Sequence, residues 1–180
     1  MTINVLFLAA EAEPFIKVGG LGDVAGALPE TIYKISSGIK DGEKVDIRLI
    51  LPFHFAIKQK GFKPKLLGEF GVKNRQGLVN CKVYYTENSG LPVYFLDGDP
   101  IDEKSPVYSL EPIHDGYKFV FFSLAALGLA DFLNWRIDIL QANDWHTATA
   151  IYALKKLAKK ITLLEYTKSI LSLHNLPYMG

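Results

Sequence analysis

Short apolar runs alternate along the chain with segments in which apolar residues return at helical spacing. Residues 4–9 form a nearly continuous run rich in Val and Leu, the pattern of a strand covered on both faces. Leu21, Val24, Ala25, Leu28, Ile32 and Ile35 then repeat with helical period. Pro29 falls inside that helix and predicts a kink or split. Residues 45–51 predict a second strand, ended by Pro52, with Phe53-His54-Phe55 expected in a loop. Residues 79–86 and 92–96 predict an antiparallel hairpin across Glu87-Asn88-Ser89-Gly90, with 66–72 as its third strand. Residues 97–113, with three prolines and several charges, predict a surface loop long enough to suggest function. A buried helix over 117–133, a strand over 137–142, a helix over 146–159 and a strand over 169–173 complete the pattern. Strands alternating with helices predict an α/β fold over residues 1–180, with a mainly parallel, doubly wound sheet and a β-hairpin insertion. Gly180 falls in the loop after a strand, where a parallel sheet continues into a crossover helix, so the chain reads as the front part of something longer.

Composition narrows this picture. A length of 180 residues suits one α/β domain, and 49% hydrophobic with 22% charged residues is ordinary for a globular protein. A net charge of +1 provides no field that would draw nucleic acid or an anionic membrane. The basic group Lys155, Lys156, Lys159 and Lys160 reads as the solvated face and end of a helix. The apolar stretch 119–133 is too short to span a bilayer and is interrupted by Ser123, Gly128 and Asp131. No Lys or Arg precedes the first apolar run and Glu11 and Glu13 follow it, which favours a buried strand over a signal peptide. The single cysteine, Cys81, reads as a core residue and points to a reducing compartment, the cytoplasm.

Three polar clusters follow three of the expected strands, at 11–23, 143–146 and 174–180. Ligands of open α/β sheets bind beyond the carboxyl ends of strands, so these clusters should gather on one edge. In the first, Gly19, Gly20 and Gly22 permit a tight turn and close approach of a ligand. The following helix offers free N–H groups and a positive dipole end, and Lys17 adds charge, a combination suited to a diphosphate. The spacing is neither the dinucleotide nor the P-loop pattern. Asp23 fits either a helix-capping acid or a ligand-side role. Asp144 could accept sugar hydroxyls or cap the next helix, and Trp145 could face a sugar ring or fill the core. His174 and Asn175 stand at a strand end where they can reach the cleft, whereas His54 and His114 have weaker cases. The four histidines show no metal-ligand spacing, and no Gly-x-Ser-x-Gly element is present.

The segment Glu11-Ala12-Glu13-Pro14-Phe15-Ile16-Lys17-Val18-Gly19-Gly20-Leu21-Gly22-Asp23-Val24 resembles the N-terminal signature of bacterial glycogen synthases and plant starch synthases. Asn143-Asp144-Trp145-His146-Thr147 looks like their second landmark, and His174-Asn175-Leu176-Pro177-Tyr178-Met179-Gly180 looks like their third, in the same order and spacing. The resemblance implies the N-terminal one of two Rossmann-like domains that face each other across a deep cleft, the GT-B arrangement. It implies transfer of glucose from ADP-glucose, or UDP-glucose in some members, to the non-reducing end of an α-1,4-glucan with retention of configuration. Lys17, Gly19 and Gly20 would then meet the donor, His174 would be catalytic beside the transferred glucose, and Asp144 and Asn175 would bind sugar. Asp23 and Tyr108 are further candidates for sugar or acceptor binding. The implied partners are the sugar nucleotide, the glucan and the chain's own C-terminal domain, without cofactor or metal; a plant source would put the protein in the plastid. Two departures stand out. Pro177 and Met179 replace the family's usual Ala and Gln, and Tyr108 in Ser105-Pro106-Val107-Tyr108-Ser109 is displaced by one from the family's Pro-Tyr loop. By this reading the fragment alone is inactive. A non-catalytic glucan-binding module and a two-domain glycosyltransferase with another acceptor stay open as alternatives.

Overall fold

A computed structural model describes residues 1–74, 77–101, 104 and 106–174. Its strands are β1 (Thr2–Leu8), β2 (Lys44–Pro52), β3 (Lys65–Asn74), β4 (Gly77–Asn88), β5 (Leu91–Asp97), β6 (Ile139–Asn143) and β7 (Lys168–Ser172). Its α-helices are α1 (Gly20–Gly38), α2 (Phe55–Gln59), α3 (Pro112–Phe132) and α4 (Trp145–Leu157). The strands form one seven-stranded sheet in the order β3-β4-β5-β2-β1-β6-β7. Strands β5, β2, β1, β6 and β7 run parallel, and β4 pairs antiparallel with both β5 and β3. This is the expected Rossmann-like, mainly parallel sheet with a hairpin on one side.

Alternation along β1 explains why its run is continuously apolar. Leu6 and Leu8 join the core beneath α3 and α4. Phe7 and Ala9 join the opposite core, with Leu21 and Ala25 of α1. Burial of such side chains on both faces removes them from water at roughly 1.5–3 kcal/mol each. Cys81 is buried in the first of these cores, and burial pushes its thiol up to about 12, so it is an inert core residue as read. Among the described residues no helix is long and apolar enough to cross a membrane.

Three expectations need correction. Pro29 does not split α1, which runs unbroken over Gly20–Gly38. The ring is buried along with Ala25 and Gly26, and tertiary packing of that face against the sheet outweighs the lost helical hydrogen bond. Phe53-His54-Phe55 is not a plain loop, because the His54 carbonyl accepts from the Ile57 and Lys58 amides and starts α2. Burial of Phe53 and Ile57 anchors this short helix, which five residues of sequence cannot reveal by period. The segment before α3 is not a surface loop throughout: Ile101 and Val107 are buried, and α3 begins earlier than expected, with Pro112 in its first turn.

Candidate functional site

Because β1, β6 and β7 are parallel neighbours, the segments that leave them emerge at one edge of the sheet. The glycine segment follows β1, Asp144 follows β6 and His174 follows β7. The segment between β5 and α3 brings Tyr108 to the same edge.

Glu11 organises the glycine segment. Its carboxylate is buried and accepts hydrogen bonds from the Val18 and Gly19 amides and from the Tyr108 hydroxyl, at 3.0 Å for Gly19 and 2.9 Å for Tyr108. The Gly19 amide is therefore turned inward, the Gly22 amide donates to the Gly19 carbonyl at 3.2 Å, and the open side of the loop is left to the Gly20 and Leu21 amides at the start of α1. The glycines divide accordingly. A Cβ on Gly20 would meet nothing within 4 Å. A Cβ on Gly22 would lie 2.9 Å from Lys17 Cγ and 3.1 Å from Glu11 Oε2, and one on Gly26 would lie 2.7 Å from the Glu13 carbonyl oxygen. Gly22 and Gly26 thus permit close packing, while Gly20 faces open space.

Lys17 rests across the first turn of α1. Its ammonium lies 2.5 Å from Asp23 and 3.5 Å from Glu13. The hydrogen bond to Asp23 raises the Lys17 pKa, so the group stays cationic. All three side chains are about half exposed, and solvent screens such ion pairs. Asp23 lies in the first turn, and Gly19 is the N-cap residue.

Tyr108 is half buried, with its ring 4.8 Å from that of His146 and 6.2 Å from that of Phe119. Burial, then the Glu11 charge, raises its pKa, so the hydroxyl remains a donor. Its segment is held from beneath by Lys118, a buried cation 2.7 Å from Asp115 that also donates to the Pro106 and Val107 carbonyls at 2.8 and 2.9 Å. Asp115 in turn accepts from the Ser109 amide at 2.9 Å. His146 also packs on Trp145, ring centroids 4.2 Å apart, and burial lowers the His146 pKa to about 4. Trp145 meets Phe119 edge-on at 5.4 Å and so helps build the wall of the site from the core side.

Asp144 precedes α4 with φ of 57°, and its side chain makes no capping bond. Its carboxylate instead accepts the His174 amide at 2.6 Å. His174 Nε2 lies 3.0 Å from Asn143 Oδ1, and Asn143 Nδ2 donates to the Leu8 carbonyl at 2.8 Å. The three expected clusters are therefore joined through Glu11, Tyr108, His146, Asp144, Asn143 and the end of β1. Asn175 and the rest of the third motif lie outside the described residues. Among the described residues no group of three His, Cys, Asp or Glu side chains could hold a metal ion.

Reading the sequence alone missed several of these parts. Glu11 appeared only as a member of a motif, and nothing in sequence says which amides a carboxylate after a strand will accept. His54 was assigned to a loop, yet it is buried with Nε2 2.9 Å from the Ala10 carbonyl, and burial lowers its pKa to about 4. Lys118 had a usable signal, as a lone lysine at the start of an apolar helix.

A family profile described as the starch synthase catalytic domain matches residues 4–180. Glycogen synthase from Bacillus cereus (strain B4264) is 32% identical over 183 residues, covering 99% of this chain and 36% of that protein. Glycogen synthase from Bacillus subtilis (strain 168) is 32% identical over 181 residues, covering 99% and 35%. The catalytic domain of starch synthase IV from Arabidopsis thaliana, bound to ADP and acarbose, superposes with a TM-score of 0.81 at 24% identity, covering 99% of this chain and 35% of that one. The chain thus spans about a third of the length of these relatives.

Proposed function

The chain belongs to the starch synthase catalytic domain family, and from that membership we propose that it forms the N-terminal wall of a retaining glucosyltransferase cleft. The donor is ADP-glucose, with UDP-glucose the alternative, and the acceptor is the non-reducing end of an α-1,4-glucan. A second, C-terminal domain faces this wall and holds most of the nucleotide. The observation that carries the reading is the joining of three separate motifs into one polar edge, with Lys17 and the N-terminus of α1 on one side and His174 on the other. The starch synthase IV catalytic domain was solved with ADP bound, which supports a nucleotide donor.

Departure of the nucleoside diphosphate leaves negative charge on its bridging oxygen. Lys17 and the first-turn amides of α1 stand ready for that charge, and preorganised donors of this kind are the largest single contribution in many enzymes. Gly20 lets the diphosphate approach the backbone. His174 and Asp144 flank the sugar, and Asn175 is a further candidate for sugar binding. Asp23 acts first as the resting partner of Lys17, and Tyr108 reaches the site through Glu11. No cofactor or metal enters the reaction. The buried free thiol of Cys81 suits a reducing compartment, the cytoplasm.

The test is transfer of labelled glucose to glycogen by the parent protein. ADP-glucose should be used, and comparison with UDP-glucose sets the donor base. No transfer from either donor, with tight binding of maltooligosaccharides by calorimetry, would replace this reading with a glucan-binding module.

A further inference from the structure

We infer that Asn143 is a positioning residue for His174: it fixes the imidazole with a hydrogen on Nε2 and leaves Nδ1 as the ring atom open to a ligand or a proton. The inference rests on the proposed site, and hydrogen-bond direction carries it. Asn143 is fully buried at the end of β6. One end of its amide lies 2.8 Å from the Leu8 carbonyl oxygen. A carbonyl only accepts, so that end must be the NH2 group. The other end, Oδ1, then faces His174 Nε2 at 3.0 Å. An amide oxygen also only accepts, so Nε2 carries hydrogen whether the ring is neutral or charged.

The surroundings hold Asn143 in that role. Its backbone amide donates to Thr147 Oγ1 at 2.6 Å, and the Thr147 hydroxyl donates back to the Asn143 carbonyl at 2.9 Å. The next residue, Asp144, turns the chain sharply at φ 57° and donates its amide to the Ser172 carbonyl at 2.8 Å. Its carboxylate takes the His174 amide at 2.6 Å. Both the backbone and the ring of His174 are thus referenced to the end of β6, so the ring enters the site with a fixed face and a fixed acceptor. A sugar hydroxyl that hydrogen-bonds to Nδ1 of the neutral ring donates to it.

The chain has four histidines, so selective 15N-histidine labelling and long-range proton–nitrogen correlation can read each tautomer. His174→Gln assigns the signal. His54, whose Nε2 faces the Ala10 carbonyl, is an internal Nε2–H standard. In the neutral wild-type chain His174 should show widely split nitrogen shifts with Nε2 protonated. In Asn143→Ala the two shifts should move together as the tautomers exchange, while the His54 pattern stays put. An Nδ1–H pattern in the wild type overturns the inference, as does an unchanged His174 pattern in a folded Asn143→Ala chain. If that variant does not fold, the wild-type spectrum decides. Absent glucose transfer by the parent protein with the expected tautomer intact would count against the functional reading and leave this one standing.

Discussion

At the scale of single residues, the site depends on buried polar groups that have little exposed counterpart in the sequence. Glu11 accepts two amides and a hydroxyl from inside the fold. Removing it loses three part-buried hydrogen bonds, at roughly 0.5–1.5 kcal/mol each. Glu11→Ala should therefore lower stability by about 2–4 kcal/mol in urea unfolding, and Tyr108→Phe by about 1 kcal/mol. A Glu11→Ala chain as stable as wild type would remove Glu11 from its organising role. His54 and His146 make a second prediction. Burial lowers both from 6.5 to about 4. Between those values the unfolded chain binds more protons than the folded one, so stability is retained above pH 6.5 and falls as the pH drops towards 4. Each histidine contributes a loss on the order of 3 kcal/mol. Unfolding free energies measured from pH 7 to 4.5 should decline steeply, and less steeply in His54→Gln. Little of this was legible beforehand, because a histidine next to two phenylalanines looks the same whether it is in a loop or sealed in a core.

At the scale of elements, the sequence was far more legible. Among the described residues, the seven strands, three of the four α-helices and the hairpin all appear in the apolar periodicity, since burial on one or both faces imposes it directly. What escaped was decided by tertiary packing: Pro29 inside an intact α1, the five-residue α2, and the start of α3. The glycine segment shows the same divide. Sequence grouped Gly19, Gly20 and Gly22 as one permissive turn, whereas the structure separates a packing glycine from an open one. Alanine ordinarily favours a helix by about 1 kcal/mol over glycine. At Gly26 the new Cβ would press on the Glu13 backbone, and overpacking of this kind costs roughly 1–3 kcal/mol. Gly26→Ala should therefore lower the melting temperature. Gly20→Ala should leave stability unchanged or slightly improved, because its Cβ meets only open space, and should weaken donor binding if the proposed diphosphate approaches there. Equal effects of the two substitutions on both readouts would contradict this division.

At the scale of the whole molecule, topology turns scattered motifs into a site. Parallel order places the ends of β1, β6 and β7 side by side, and this convergence followed from strand positions alone. The bonds that lock the clusters together did not, because partners such as Glu11 and Tyr108 are 97 residues apart in sequence. The result is one polar wall, with Lys17 paired to Asp23 across the first turn of α1. That wall, with the cleft it implies, is the central claim. The most direct test is donor kinetics of the parent protein carrying Lys17→Ala, with glycogen saturating. The account predicts that kcat/KM for the sugar nucleotide falls by about 100-fold or more, as loss of a preorganised charge contact requires, while unfolding stability is unchanged. Donor kinetics equal to wild type would contradict it.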